Sequence, residues 1–297
     1  MNKVISTLVL IIAVLALIAS VTGIFSTGGS QYEYQSITGQ TVTIYGVGVY
    51  KHMSADVAIQ GIAQDYVTLF IAIPALLFAL FLNRKKTLKS KYLLAGILSY
   101  LFLTYLFYMN MAMYNALFLV YIALTGTTFF ALTMTLLSIE IDKLPMAFNK
   151  KTPTKLIGGF LLFTAMSIAL LWLSILVPPL LDKTIIPLSV EHYTTLTVQG
   201  FDLSLFHPLL FVAGLLLIKK NRFGYLMAPV SLIFLSFLMT ALIAKIIAMS
   251  LAGVNVVPVV FIIPCITILA IVCSIIILKN INSDPLKKGN ESVNSNY

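Results

Sequence analysis

Residues 225–251 read YLMAPVSLIFLSFLMTALIAKIIAMSL. Lys245 is the one charged side chain in the stretch, and Pro229 its one proline. At about 1.5 Å per residue a helix of this length covers about 40 Å, more than the ~30 Å of a hydrocarbon core. A helix apolar all round has no face to offer water, so the stretch predicts a membrane span.

Seven further runs of the same kind flank it: Val4 to Phe25, Tyr66 to Leu82, Tyr92 to Tyr108, Met113 to Leu137, Leu156 to Leu176, Phe201 to Ile218 and Val256 to Leu278. The expected fold class is an all-α membrane protein of eight transmembrane helices. The first run has Lys3 before it, like a signal peptide, but it is long and no small-x-small cleavage site follows, so it is read as a retained helix.

The whole chain agrees with its parts. Of 297 residues, 60% are hydrophobic and 10% charged, and mean hydropathy is +1.01; soluble globular chains are about 25% charged. That composition excludes a soluble enzyme, a secreted disulfide scaffold and a nucleic-acid binder. Cys265 and Cys273 stand about 12 Å apart along a helix, too far for a disulfide, and read as small apolar side chains.

The net charge of +9 follows from topology. With the N-terminus inside, all 19 basic residues except Lys51, Lys183 and Lys245 fall in or beside the inner segments, as the positive-inside rule requires. Both termini are therefore expected in the cytoplasm, the protein in the cell membrane, and the lipid bilayer as partner, with no nucleic acid. Glu33, Asp56, Asp65, Asp182, Glu191 and Asp202 sort to the outer side, as do His52, His192 and His207.

The chain also reads as a 4+4 parallel internal repeat. PALLFALFLNRKK from Pro74 aligns with PLLFVAGLLLIKK from Pro208, and Tyr92-Leu-Leu-Ala with Tyr225-Leu-Met-Ala. The expected division is 1–150 for a first half with outer loop 26–65, 151–280 for a second half with outer loop 177–201, and 281–297 for a disordered cytoplasmic tail. Within the first loop TVTIYGVGVY, residues 41–50, alternates like one or two strands broken at Gly46 and Gly48, a small extracytoplasmic cap. Ser54 is placed to cap a helix running on into the second span.

Three segments carry a resemblance: YGVGVYKHMSADVAIQGIAQDYVTLFIAIP from Tyr45, YNALFLVYIAL from Tyr114, and TVQGFDLSLFHPLLFVAGLLLIKKNRFGYLMAP from Thr197. They resemble an uncharacterised family of prokaryotic multi-pass, eight-span integral membrane proteins. The resemblance runs from Tyr45 to about Leu251 and implies that Asp65, Asn115 and Asp202 are shared features. It implies no activity.

No P-loop, HExxH, CxxC, GxSxG or dinucleotide fingerprint is present. The missing motifs weigh against an enzyme, no catalytic residue is assigned, and no cofactor or metal is expected. Depth arithmetic supplies the candidates instead. Asp65 and Asp202 lie about 24–26 Å above the inner boundary and Lys245 about 30 Å, with His207 somewhat deeper. Ionisable groups at such depth face a bundle interior or a cavity, and the short KKNR link should let Asp202 and Lys245 meet. Asn115, Asp56 and His52 complete the set for a substrate or polar site. The tyrosines of the third and fourth spans, Tyr100, Tyr105, Tyr108 and Tyr121 among them, read as interfacial and packing residues. Three functions follow: a transporter or permease-like protein with a polar site near the outer face, taking a small-molecule or lipid ligand; a non-catalytic sensor or assembly partner; or an outer-leaflet enzyme using Asp65 or Asp202 with His207.

Overall fold

A computed structural model describes residues 3–282. Among them eight helices are long and apolar enough to cross a membrane: α1 Lys3–Phe25, α2 Ala55–Asn83, α3 Leu88–Met111, α4 Phe118–Leu137, α5 Thr154–Leu181, α6 Thr197–Ile218, α7 Arg222–Leu251 and α8 Val259–Lys279. Their number, length and apolarity are compatible with a multi-pass membrane protein. The helices outrun several expected bounds. α2 starts at Ala55 and α5 persists to Leu181 through Pro178 and Pro179, so the two long loops contract to 26–54 and 182–196. α4 starts later than expected, at Phe118. There the Asn115 carboxamide accepts from the Leu117 amide at 2.8 Å and holds 112–117 in a turn.

Capping fixes two of the sharp reversals. The Thr87 hydroxyl accepts from the Ser90 amide and opens α3, and the Asn221 side chain accepts from Phe223 and opens α7. α7 then runs through the middle of the bundle, packed on α2, α3, α6 and α8, while α3 lies between α4 and α7. In an apolar solvent helices associate by close packing, not by hydrophobic exclusion. Gly96 on α3 supplies the closeness, for a methyl group there would overlap the Ile233 side chain of α7. The Tyr92 hydroxyl adds a bond of 2.8 Å to the Tyr225 carbonyl across the same contact.

Two helices are interrupted in the same way. Thr68–Ala72 of α2 and Asp202–Phe206 of α6 form single π-helical turns, just ahead of Pro74 and Pro208. A proline lacks the amide for the bond four residues back and its ring crowds that carbonyl. A widened turn absorbs both defects without breaking the helix.

At one end of the bundle, β1 Tyr32–Gln35 pairs antiparallel with β2 Thr41–Ile44, Tyr32 opposite Ile44 and Gln35 opposite Thr41. Residues 41–50 thus hold one strand, and its partner is the earlier YEYQ. Gly46 and Gly48, both at positive φ, turn the chain into a short 3-10 helix ending at Tyr50. Ser54 occupies the N-cap position of α2, yet its side chain caps nothing. The Ser54 amide donates instead to the Tyr193 hydroxyl at 3.1 Å, which draws loop 182–196 against the sheet-bearing segment. At the opposite end, where Lys91, Lys143 and Arg222 gather, Phe148 pairs with Ile281, the Asn149 amide reaches the Asn280 carbonyl at 2.8 Å, and the Asn282 amide reaches Ala147 at 2.9 Å. Ile281 and Asn282, the first two residues of the expected tail, thus contact the segment between α4 and α5. The remainder of that tail lies outside the described residues.

Candidate functional site

Asp65, on the last α-helical turn of α2 before its π turn, is 1% exposed. A carboxylate so buried must be satisfied by donors. The Tyr50 hydroxyl donates to Oδ2 at 2.5 Å, while the Tyr108 hydroxyl lies 3.1 Å from Oδ1 and 2.8 Å from the Gly61 carbonyl, one proton between two acceptors. Burial first, and then the field of Asp65, push the Tyr50 phenol well above its ordinary range, so this cap residue remains a donor. Gly23 of α1 makes the room, since a Cβ there would overlap the Asp65 carboxylate. Tyr105 and Tyr121 close the same pocket; the Tyr105 hydroxyl has no hydrogen-bond partner among the described residues, and the Tyr121 hydroxyl stands beside Asn115 and Tyr50.

Asp202 opens the π turn of α6. It accepts from the Trp172 indole nitrogen of α5 at 2.9 Å, and His207 Nε2 stands 3.8 Å from the same oxygen. That is beyond hydrogen-bond reach. His207 is buried with neither ring nitrogen partnered among the described residues, and it borders a shallow apolar groove with Ala165 and Phe211.

Between these two carboxylates lies a cavity of about 290 Å³. Gln60 and Gln64 of α2, Thr104 of α3, Trp172 of α5, Gln199 of α6 and Lys245 of α7 supply its polar surface. Loop 182–196 roofs it through Tyr193, whose phenol is likewise raised by burial. Gln64 is pinned in place, donating to the Tyr100 hydroxyl at 2.5 Å and the Thr104 hydroxyl at 3.2 Å. Asp65 and Asp202 do not line the cavity; they stand behind Tyr108 and Trp172, which do.

Lys245 has no hydrogen bond and no ion pair within 4.0 Å among the described residues. The carboxylates whose fields reach it are Asp202 and Asp65. The expected direct contact with Asp202 is thus not formed: Asp202 turns to Trp172 and Lys245 turns to the cavity. The other candidates lie apart. Asn115 builds the α3–α4 turn. Asp56 is exposed in the first turn of α2, where a negative charge complements the helix dipole. His52 is exposed on the cap, and its carbonyl meets His192 Nε2 at 2.9 Å.

Tyr50, Gln60, Gln64, Thr104, Trp172, Tyr193 and Gln199 are site residues that sequence reasoning missed. Tyr100, Thr104 and Tyr108 recur every four positions, one face of α3, and that period was the available signal. Compared with protein-family models, curated proteins and solved structures, the chain gives no match.

Proposed function

We propose that this is a cell-membrane protein of permease type, with cytoplasmic termini and a polar ligand site near its outer face. The cavity holding an unpaired Lys245 ammonium carries this reading. A lone charge at membrane depth is costly unless it serves a ligand or pathway, and this one, half-buried, faces space walled by helices from both ends of the chain.

A 4+4 repeat about an axis along the membrane normal fits the same picture. The π turns at Thr68–Ala72 and Asp202–Phe206 fall at matching places when Pro74 is laid on Pro208. α3 and α7, equivalent in such a repeat, pack together, and their matching Tyr92 and Tyr225 meet in one hydrogen bond. Sites between repeated halves are the usual place for a transported ligand. The enzyme reading has less support, since Asp65, Asp202 and His207 all stand outside the cavity lining.

The test places a single thiol on the cavity wall, Leu238→Cys, in a background of Cys265→Ser and Cys273→Ser. The protein is oriented in proteoliposomes and treated with a membrane-impermeant thiol reagent from either side. Modification from both sides is the expected result for a permease. Modification from the sheet-bearing side alone would reduce the site to binding without passage, and no modification from either side would overturn the proposal.

A further inference from the structure

Resting on the reading of the cavity as a ligand site, we infer that its ligand is a small amphipathic monocarboxylate, held by the Lys245 ammonium. The charges decide the sign. Lys245 is the cavity's one basic group, and the other polar groups of its wall are neutral: the Gln60 and Gln199 carboxamides and the Tyr193 and Thr195 hydroxyls among them. The two nearby carboxylates face away, Asp65 held by Tyr50 and Tyr108 and Asp202 by Trp172. A cation entering the cavity would therefore meet Lys245 with no free carboxylate to offset it.

The same count limits the ligand to one negative charge. A dianionic phosphoryl group would need a second cation, and the wall has none. The rest of the lining is largely apolar, with Val57, Leu103, Phe107, Met111 and Leu238. It accommodates a hydrocarbon or aromatic body beside the carboxylate. A volume of about 290 Å³ falls at the small end of the ~300–1,000 Å³ common for ligand pockets.

The chain carries its own reporter. Trp172, the single tryptophan, lines the cavity, so its fluorescence senses occupancy. The full-length protein in tryptophan-free nanodiscs is titrated with phenylacetate, with neutral phenylacetamide, and with phenylphosphonate. Acrylamide serves as a neutral quencher to check access. The expected result is a saturable response to phenylacetate, at least about tenfold weaker for phenylacetamide, which is ~1.4 kcal/mol. Lys245→Gln loses this preference for the acid and Lys245→Arg retains it. A response to phenylphosphonate stronger than to phenylacetate, equal responses to acid and amide, or a preference that survives in Lys245→Gln would overturn the monocarboxylate assignment. If Lys245→Gln does not fold, the acid–amide–phosphonate comparison on the unaltered protein decides. Quenching by acrylamide with no phenylacetate response overturns the ligand class alone. No quenching by acrylamide overturns the accessible cavity, and with it the proposed function.

Discussion

Replacing Tyr50 with Phe removes one hydroxyl and nothing else from the centre of the Asp65 cluster. The ring stays, fully buried beside Tyr108, so packing is conserved and the loss is that of a hydrogen bond to a buried carboxyl oxygen. Leaving a buried acceptor unsatisfied costs about 1–3 kcal/mol. The upper half of that range is expected here, because the bond is 2.5 Å long and the deserted Oδ2 is buried. Tyr108 cannot make up the loss, since its single proton already serves Oδ1 and the Gly61 carbonyl. Equilibrium unfolding in mixed micelles measures the effect, run as a double-mutant cycle with Asp65→Asn. The two substitutions should couple by at least about 1 kcal/mol, the double mutant being less damaged than the sum. Strict additivity would refute the view that Tyr50 serves Asp65, and would leave the cap attached to the bundle by packing alone.

Gly23→Ala should destabilise by about 1–3 kcal/mol, although alanine is the better helix former, because its methyl group displaces the Asp65 carboxylate. The loss should shrink in an Asp65→Ala background, and an unchanged loss would place the clash elsewhere. Raising the pH gives a signed prediction from Tyr50, whose phenol in the folded chain is held well above the ordinary 10.0. The stability it contributes is complete below that value and declines as pH rises above it toward the folded pKa, with a slope of at most ~1.4 kcal/mol per pH unit. Unfolding midpoints followed from neutral pH to about pH 11 should therefore fall less steeply in Tyr50→Phe than in the parent. For the proposed topology, alkaline phosphatase fused after Gly39 or Val190 should be active and green fluorescent protein fused at Tyr297 should fluoresce; dark but folded C-terminal fusions would overturn the eight-span order.

The helices were legible because length and apolarity are one-dimensional properties, and a run such as 225–251 carries both without reference to any neighbour. The capping of α2 was legible in part: Ser54 stands where the helix begins, but its side chain yields to a contact from Tyr193, far along the chain. YEYQ could not be identified as a strand because four residues without an apolar period mean nothing until TVTI lies beside them. Lys245 and Asp202 show the same limit at the site. Counting residues along a helix gives the height of a side chain, but its direction around the axis is set by packing. Lys245 and Asp202 could therefore be placed near one level along their helices, yet their expected contact did not form. Trp172 joined the site only through the crossing of α5 and α6, which no local pattern encodes.

The pairing of residues 147–149 with 280–282 has a mechanical consequence. It rivets the segment between α4 and α5 to the far end of α8, so the two ends of the chain's second half are held against each other at the lysine-rich end. Movement of α5 and α8 against the first four helices would then have its fulcrum at that rivet and its free travel at the cap. Along α5 from Thr154 to Trp172 the arm is about 27 Å, so a tilt of about 5° at the fulcrum would shift that part of the cavity wall by about 2.4 Å. Small rearrangements at the lysine-rich end would thus be magnified where Trp172 meets the cavity.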